Sequence, residues 1–363
     1  MAPIIPEWNK LLVEGRTKLG KSIPIIEAEM AIANGWVKRI ESGEPCPLDL
    51  VFGYARTIGL DMDEFGSKFA ESITFDPGWS IVSETHSSSR FHFDYSGHPA
   101  TILIPTDGTS LRLAIDNFIA TLNSNKKAEG ITLGFMGLLR DLPTVNPAVV
   151  WGLIIQRLYT IPYSWNPDNL SPGGDLAQSW KRSAGWALEQ VVVRRYSNAL
   201  HLHGITISSD NKDIKEFSRA FHINESKPDV VLFSENKGVK NWIGALAIKA
   251  SVAERRDDDV PWAGEVMDAG MIVPYVTMDV KSYPGRAPSV DGEYKENWDG
   301  VGTDKRNAKR SDVEDQGVFS GVFSFNTNTK PTHPKYNTPG NRIFSIDWSN
   351  SNDELLQFIL SNS

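Results

Sequence analysis

The sequence predicts an α/β protein in which a mixed central sheet is flanked by helices and follows a mainly helical N-terminal region. Three observations lead to this fold class. Apolar residues recur at helical spacing through most of the first 80 residues. A long amphipathic helix is predicted over residues 176–200. After it, apolar runs at residues 230–233, 243–248 and 271–278 have the length of buried strands, with a helical pattern between the last two.

The N-terminal region is predicted to consist of helices interrupted by one β-hairpin. Residues 27–40 carry apolar side chains near helical spacing, and two short amphipathic segments flank Gly59. Alternating β-formers over residues 78–105 predict the hairpin. Residues 107–122 predict a helix, and residues 148–159 predict a helix or a buried strand.

The best candidate for a domain boundary is residues 160–175, which are dense in Pro, Gly and Asn. It divides the chain into an N-terminal region of residues 1–165 and a core of residues 166–363. No internal repeat or low-complexity tract is present in either part.

Shorter elements complete the predicted core. Residues 201–207 alternate like a strand, and residues 261–268 predict a short helix with Asp259 as its cap and Pro261 in its first turn. Strands over residues 318–325 and 342–346 and a helix over residues 353–360 are predicted near the C-terminus.

Composition excludes several protein classes. The 363 residues include one cysteine, which excludes an intrachain disulfide and a cysteine-rich zinc site. We expect a soluble cytoplasmic protein without a membrane partner, because no basic segment followed by an apolar run begins the chain. The net charge of -8 argues against a surface coated with basic residues, but a local basic cleft is compatible with it.

Two residues at the ends of adjacent predicted strands suggest the chemistry. Pro228 and Asp229 precede the first apolar run, and Lys249 ends the second. A carboxylate in this position is suited to bind Mg²⁺, and an ammonium group is suited to lie beside a phosphate and its attacking water. The pattern therefore predicts a metal-dependent reaction at a phosphate.

The order of elements and the Asp229–Lys249 pair resemble the core of the PD-(D/E)xK nuclease superfamily. That family usually has an acid two residues before the lysine, where this chain has Ala247. In one branch of the type II restriction endonucleases, which cuts CCGG-containing and interrupted CC/GG sites, the acid comes from the following helix. Glu265 is the best match to that migrated glutamate. The alternative metal ligands are three consecutive aspartates, Asp257, Asp258 and Asp259.

The resemblance also implies DNA-reading residues. Lys249-Ala-Ser-Val-Ala-Glu254-Arg255 is similar to a family segment whose last residues contact bases, and Arg256 follows it. Arg is suited to bind guanine O6 and N7, and Glu is suited to accept from cytosine N4. A later basic cluster is either a set of phosphate contacts or a solvated loop. Its members are Lys305, Arg306, Lys309 and Arg310.

Two further groups of acidic residues compete for roles at the site. Glu189 matches a glutamate that the family often carries on the helix before the core, where it completes or orients the metal site. Asp279, Val280 and Lys281 spell a second DxK pattern, with Asp268 as a partner acid. This second pattern ranks below the first because it follows the helix, where the family core has no catalytic lysine.

The resemblance implies a Mg²⁺-dependent type II restriction endonuclease that cuts double-stranded DNA to a 5′-phosphate and a 3′-hydroxyl. It further implies a homodimer and a cognate DNA methyltransferase in the same system. Residues 1–165 are expected to add DNA-recognition or dimer contacts. Two alternatives remain, a repair or recombination nuclease without a fixed short site and a catalytically silent DNA-binding protein.

Overall fold

The structure, a computed structural model, describes ten stretches of the chain. They are residues 7–42, 48–72, 79–95, 98–160, 176–224, 228–251, 256–280, 289–290, 308–333 and 342–363.

The first part of the chain is helical, as predicted. Its helices are α1 (Glu7–Lys18), α2 (Ile23–Glu29), α3 (Trp36–Glu41), α4 (Leu48–Thr57) and α5 (Met62–Ser72). The helix predicted over residues 27–40 is two helices, because Ala31 has a φ of 53° and Gly35 a φ of 100°. The buried Glu27 carboxylate accepts hydrogen bonds from the backbone N–H groups of Gly35 and Val37 and so caps α3.

A small sheet and a group of helices follow. The strands are β1 (Trp79–Thr85), β2 (Ser88–Tyr95) and β3 (His98–Ile104), one more than the predicted hairpin required. The helices are α6 (Gly108–Ser124), α7 (Lys127–Asp141), α8 (Pro147–Val149) and α9 (Gln156–Thr160), with a π-helix at Val150–Ile155 between the last two. The apolar segment at residues 148–159 is therefore helical.

The remaining elements form the core of the fold. They are α10 (Leu176–His201), β4 (Ile205–Ser208), α11 (Asn211–Ala220), β5 (Val230–Asn236), β6 (Val239–Lys249), α12 (Arg256–Asp268), β7 (Tyr275–Thr277), β8 (Ser289–Val290), α13 (Ala308–Ser311), a π-helix (Asp312–Gln316), β9 (Val322–Ser324), β10 (Ile343–Ser345) and α14 (Glu354–Ser361).

Two sheets organise these strands. The larger has six strands in the order β10-β9-β7-β6-β5-β4, and the smaller has the order β1-β2-β3-β8. In the larger sheet β10, β9, β7 and β6 run parallel, and β5 and β4 are antiparallel to their neighbours. The prediction of a mixed sheet flanked by helices is confirmed.

A β-α-β unit brings the two central strands of the larger sheet together. Helix α12 connects β6 to β7, and its Trp262, Ala263 and Val266 pack into the core cluster that includes residues of both strands. The strands approach closely at Gly244, where any Cβ would overlap the carbonyl oxygen of Ile272. This pairing fixes the position of Lys249 at the end of β6.

The chain separates into two compact units. One contains residues 1–80 and 157–181, and the other contains residues 81–156 and 182–363. Residues 81–156, predicted to belong to the N-terminal region, lie in the same unit as the large sheet. A single boundary along the sequence does not detect that a later segment, residues 157–181, belongs to the first unit.

The prediction and the structure differ at three further elements. Residues 201–203 continue α10 into a turn, so His201 and His203 do not lie on a strand. Helix α11 was not predicted, because only Ile214 and Phe217 form its buried apolar face. Helix α12 begins at Arg256 rather than near Pro261.

The early start of α12 changes the position of Asp259. This residue lies within the helix and is not its cap. The backbone of Asp257, Asp258 and Asp259 forms the first turn of the helix and the start of the second. Among the described residues, no helix has the length and apolar composition needed to cross a membrane.

Candidate active site

Asp229 lies just before β5, next to the end of β6. Its backbone N–H donates to the carbonyl of Leu246 at 3.3 Å, which extends the antiparallel pairing of the two strands. Its Oδ2 accepts from the backbone N–H of Ile248 at 2.7 Å and from Nζ of Lys249 at 2.6 Å. The predicted pairing of this acid and this lysine on neighbouring strands is present in the structure.

A second carboxylate approaches the same ammonium group from α12. Oδ2 of Asp259 lies 3.8 Å from Nζ of Lys249, and the Asp259 side chain is only 6% exposed. Its other oxygen, Oδ1, accepts from the indole N–H of Trp262 at 3.3 Å. Lys249 therefore lies between two carboxylates at the carboxyl end of β6, the edge at which α/β proteins commonly bind ligands.

Lys249 remains charged in this environment. Burial alone lowers the pKa of a lysine, but the negative charges of Asp229 and Asp259 outweigh it and raise the pKa of Lys249 above its ordinary value of 10.5. In the absence of a bound metal, the side chain at neutral pH is therefore an ammonium group. It donates hydrogen bonds and does not accept a proton.

Glu189 belongs to the same electrostatic cluster. It is half-buried on α10, between the buried residues Leu188 and Val191. Burial raises its pKa to about 8, with a further contribution from the negative charge of Asp229 and an opposing one from Lys249. The predicted glutamate of the preceding helix is thus coupled to the Asp229–Lys249 pair.

The donor atoms of this cluster suit a magnesium ion. With all four side chains ionised, three carboxylates and one ammonium group leave a net charge of -2. Mg²⁺ is usually held by one or two carboxylates, with waters and substrate phosphates completing its octahedral shell. Within the described part of the chain no three His, Cys, Asp or Glu side chains form a complete metal-binding group. The Asp229–Asp259 pair fits the more open Mg²⁺ arrangement.

Glu265, the residue predicted to supply the acid from the helix after Lys249, does not lie on the face of α12 that holds Asp259. Trp262, Ala263 and Val266 share the buried face with Asp259, whereas Glu265 is exposed. The step of six positions from Asp259 to Glu265 corresponds to a rotation of about 240° around the helix axis. The structure therefore brings Asp259, one of the three alternative aspartates, to Lys249.

The predicted DNA-reading residues lie mostly outside the described part of the chain. Glu254, Arg255, Lys305 and Arg306 are outside it entirely. Arg256 begins α12 and Lys309 lies in α13, and for these two residues the structure describes the backbone only.

Arg310, the last member of the basic cluster, has a structural role. Its guanidinium is 2.8 Å from the Glu314 carboxylate and donates to the carbonyl oxygens of Lys330 and Pro331. Only 8% of the residue is exposed. These contacts turn Arg310 toward the protein interior.

Of the second DxK pattern and its partner acid, the structure describes Asp279 and Asp268. Asp279 is fully buried with a φ of 43°, and its Oδ2 accepts from the Thr329 hydroxyl at 3.1 Å. The amide of Asn326 donates to its carbonyl at 2.9 Å. Asp268 is exposed at the end of α12, and Lys281 lies outside the described residues. Asp279 thus holds the chain after β7 in place.

Sequence reasoning missed the contact between Asp259 and Trp262. Their spacing of three residues on one helix was available as a signal, because residues three or four apart share a helix face. It was not used because the predicted helix began at Pro261, which left Asp259 in front of it.

Comparison with known proteins gives one match by sequence. Over 261 residues the chain is 29% identical to "Type II restriction enzyme AgeI" of Thalassovita gelatinovora, a match that covers 68% of this chain and 88% of that protein. No protein-family model matches the chain.

Solved structures give matches as well. A crystal structure of a specific AgeI–DNA complex matches with a TM-score of 0.62 and 25% identity, and it covers 75% of this chain and 99% of that one. A crystal structure of a pre-specific BsaWI–DNA complex matches at 18% identity with a TM-score of 0.32, and it covers 69% of this chain and 89% of that one.

Proposed function

We infer the function from the premise that this chain is a homologue of type II restriction endonucleases, as its sequence match and its fold match indicate. It is accordingly a sequence-specific DNA endonuclease. We propose that hydrolysis takes place at Asp229, Lys249 and Asp259. The observation that carries this assignment is the position of the Lys249 ammonium between the two carboxylates.

We propose that Mg²⁺ is the cofactor and that Asp229 and Asp259 hold it. When bound there, the ion would polarise the scissile phosphate and lower the pKa of a coordinated water. Asp229 is suited to this role because the backbone N–H of Ile248 fixes its carboxylate at the strand end. Asp259 supplies the acid that Ala247 cannot. The branch of the family with a migrated acid therefore remains the proposed one, with an aspartate on α12 in place of Glu265.

Lys249 acts as a charged donor in this scheme. Its ammonium offsets negative charge on the phosphate and orients the attacking water, while in-line attack leaves a 5′-phosphate and a 3′-hydroxyl. Glu189 increases the negative charge of the site, which attracts a cation once the carboxyl is ionised. We propose that it orients the site rather than acting as the main ligand.

We propose that the base-reading residues follow the catalytic strand directly. Glu254, Arg255 and Arg256 come within seven residues of Lys249, so the correct bases would align the lysine through a short segment of chain. Lys305, Arg306 and Lys309 are proposed as phosphate contacts. Arg310 is left out because its guanidinium is buried against Glu314.

We further propose a homodimer on DNA, since one active site cuts one strand and a two-fold DNA site matches a two-fold protein. Residues 1–165 are proposed to supply recognition or dimer contacts. A cognate DNA methyltransferase is the expected partner in the same system, because a sequence-specific nuclease requires protection of the host sites.

Incubation of the protein with plasmid DNA, with and without Mg²⁺, tests this function. Discrete fragments that require Mg²⁺ support it, a smear indicates a nuclease without a fixed site, and the absence of cleavage indicates a silent DNA-binding protein. Lys249→Ala is expected to abolish cleavage and Lys281→Ala to preserve it. Unchanged cleavage by Lys249→Ala would refute the assigned site.

A further inference from the structure

We propose that Trp262 is a positioning residue of the nuclease site, acting through Asp259. The inference rests on the proposed function, in which Asp259 is a metal ligand. Trp262 is one turn after Asp259 on α12, and its indole N–H donates to Oδ1 of Asp259 at 3.3 Å. The other carboxylate oxygen, Oδ2, is the one that approaches Lys249.

The hydrogen bond distinguishes the two oxygens of the Asp259 carboxylate. An aspartate side chain rotates readily about its terminal bond, so either oxygen can face a cation unless one is held. The indole N–H is a donor only, and it has no alternative role as an acceptor. By occupying Oδ1, it directs Oδ2 toward the ammonium group of Lys249.

The indole itself is held by packing. Trp262 is 3% exposed and belongs to the core cluster that includes Ala245 and Ala247 of β6 and Tyr275 of β7. A buried ring has little freedom to reorient, so its N–H direction is set by the core beneath the sheet. Trp262 therefore links the sheet core to the orientation of one carboxylate.

This role differs from a purely structural one in a measurable way. Partners that orient a metal ligand typically contribute about 10–100-fold to metal affinity. Because the Trp262–Asp259 bond is long, we expect the lower end of that range. Trp262→Phe keeps an aromatic ring in the core and removes only the donor and part of the ring volume. Trp242, a partly buried member of the same cluster on β6, offers the matched control Trp242→Phe.

Binding of Mn²⁺ alone, followed by the electron paramagnetic resonance signal of the free ion, is the test. It uses the full chain without DNA and is independent of cleavage. We expect Trp262→Phe to weaken Mn²⁺ binding by about 10-fold and Trp242→Phe to leave it unchanged. In an Asp259→Asn background, Trp262→Phe is expected to have no further effect, because the group through which it acts is altered.

The outcomes separate this inference from the proposed function. If the wild-type protein binds Mn²⁺ and Asp259→Asn weakens that binding, but Trp262→Phe does not, the positioning role is refuted and the site stands. Equal losses from Trp262→Phe in both backgrounds would also refute it, because the loss would then arise from packing. If Asp259→Asn does not weaken Mn²⁺ binding, the proposed site fails and this inference fails with it.

Discussion

Replacing Glu189 by Gln should stabilise the metal-free protein, and increasingly so at higher pH. The folded state raises the pKa of Glu189 from 4.5 to about 8. A raised carboxyl pKa means that folding favours the protonated form, so the contribution to stability is greatest below pH 4.5 and is lost as the pH rises toward 8. Gln stays neutral at every pH and does not lose this contribution.

The expected size follows from the two pKa values. The difference between 4.5 and about 8 corresponds to about 5 kcal/mol when the group is fully ionised, at about 1.4 kcal/mol for each unit of pKa. Residual solvent contact at this half-buried side chain reduces the effect to about 2–4 kcal/mol at pH 9. At pH 5 the same substitution should stabilise the protein by less than about 1 kcal/mol.

Urea unfolding at pH 5, 7 and 9 in the presence of EDTA measures this difference. Glu265→Gln is the matched control, because it makes the same substitution at an exposed position on α12. Addition of Mg²⁺ should reduce the advantage of Glu189→Gln, since a nearby cation favours the ionised carboxylate. A pH-independent difference between Glu189→Gln and the wild type would refute the buried-carboxylate reasoning.

Two further predictions concern the scaffold. Gly244→Ala should destabilise the fold by several kcal/mol, as core overpacking does, because the added Cβ would overlap the Ile272 carbonyl. Gly264→Ala on α12 meets open space and should be neutral or stabilising. Thermal unfolding compares the two variants, and equal melting temperatures would contradict the close strand pairing. Arg310→Ala should cost about 3–5 kcal/mol, because it removes the cation of the buried ion pair with Glu314, whose carboxylate keeps its hydrogen bond from the Thr332 hydroxyl. Urea unfolding measures this loss, and the DNA affinity of the folded fraction should stay unchanged. If Arg310→Ala instead had normal stability and weakened DNA binding, Arg310 would be assigned as a contact to DNA phosphate.

The central pair of the site was predictable from sequence because its geometry is local to two strands. An acid before one buried run and a lysine at the end of the next are brought together whenever those runs pair as antiparallel neighbours. Asp229 and Lys249 meet in this way, through the pairing of Val230 with Leu246. The two apolar runs, with the acid before the first and the lysine at the end of the second, were enough to predict that contact.

The second acid was not predictable in the same way, because it depends on where a helix begins. Pro261 suggested a start that α12 does not use, and the helix starts five residues earlier at Arg256. That shift moves Asp259 from a cap into the helix and onto its buried face. Which acid faces the sheet is decided by the packing of Trp262, Ala263 and Val266, which a linear pattern does not reveal.

The same limit applies to the basic cluster near residue 310. A run of Lys and Arg in a polar segment does not show which members face solvent. Arg310 is held toward the interior by an ion pair with Glu314, four residues later on the same helical stretch. Hydrogen bonds to two backbone carbonyls about twenty residues away hold it as well. Such long-range backbone acceptors have no signature in the sequence around the arginine.

The assignment of Asp259 to the active site is tested most directly by single-turnover cleavage of DNA at several Mg²⁺ concentrations. The assay compares the wild type with Asp259→Asn and Glu265→Gln. We expect Asp259→Asn to slow cleavage on the order of 100-fold or more, because it removes a charge from the proposed Mg²⁺ site, and Glu265→Gln to cleave like the wild type. Normal cleavage by Asp259→Asn together with loss of activity in Glu265→Gln would contradict the assignment of Asp229, Lys249 and Asp259 as the active site.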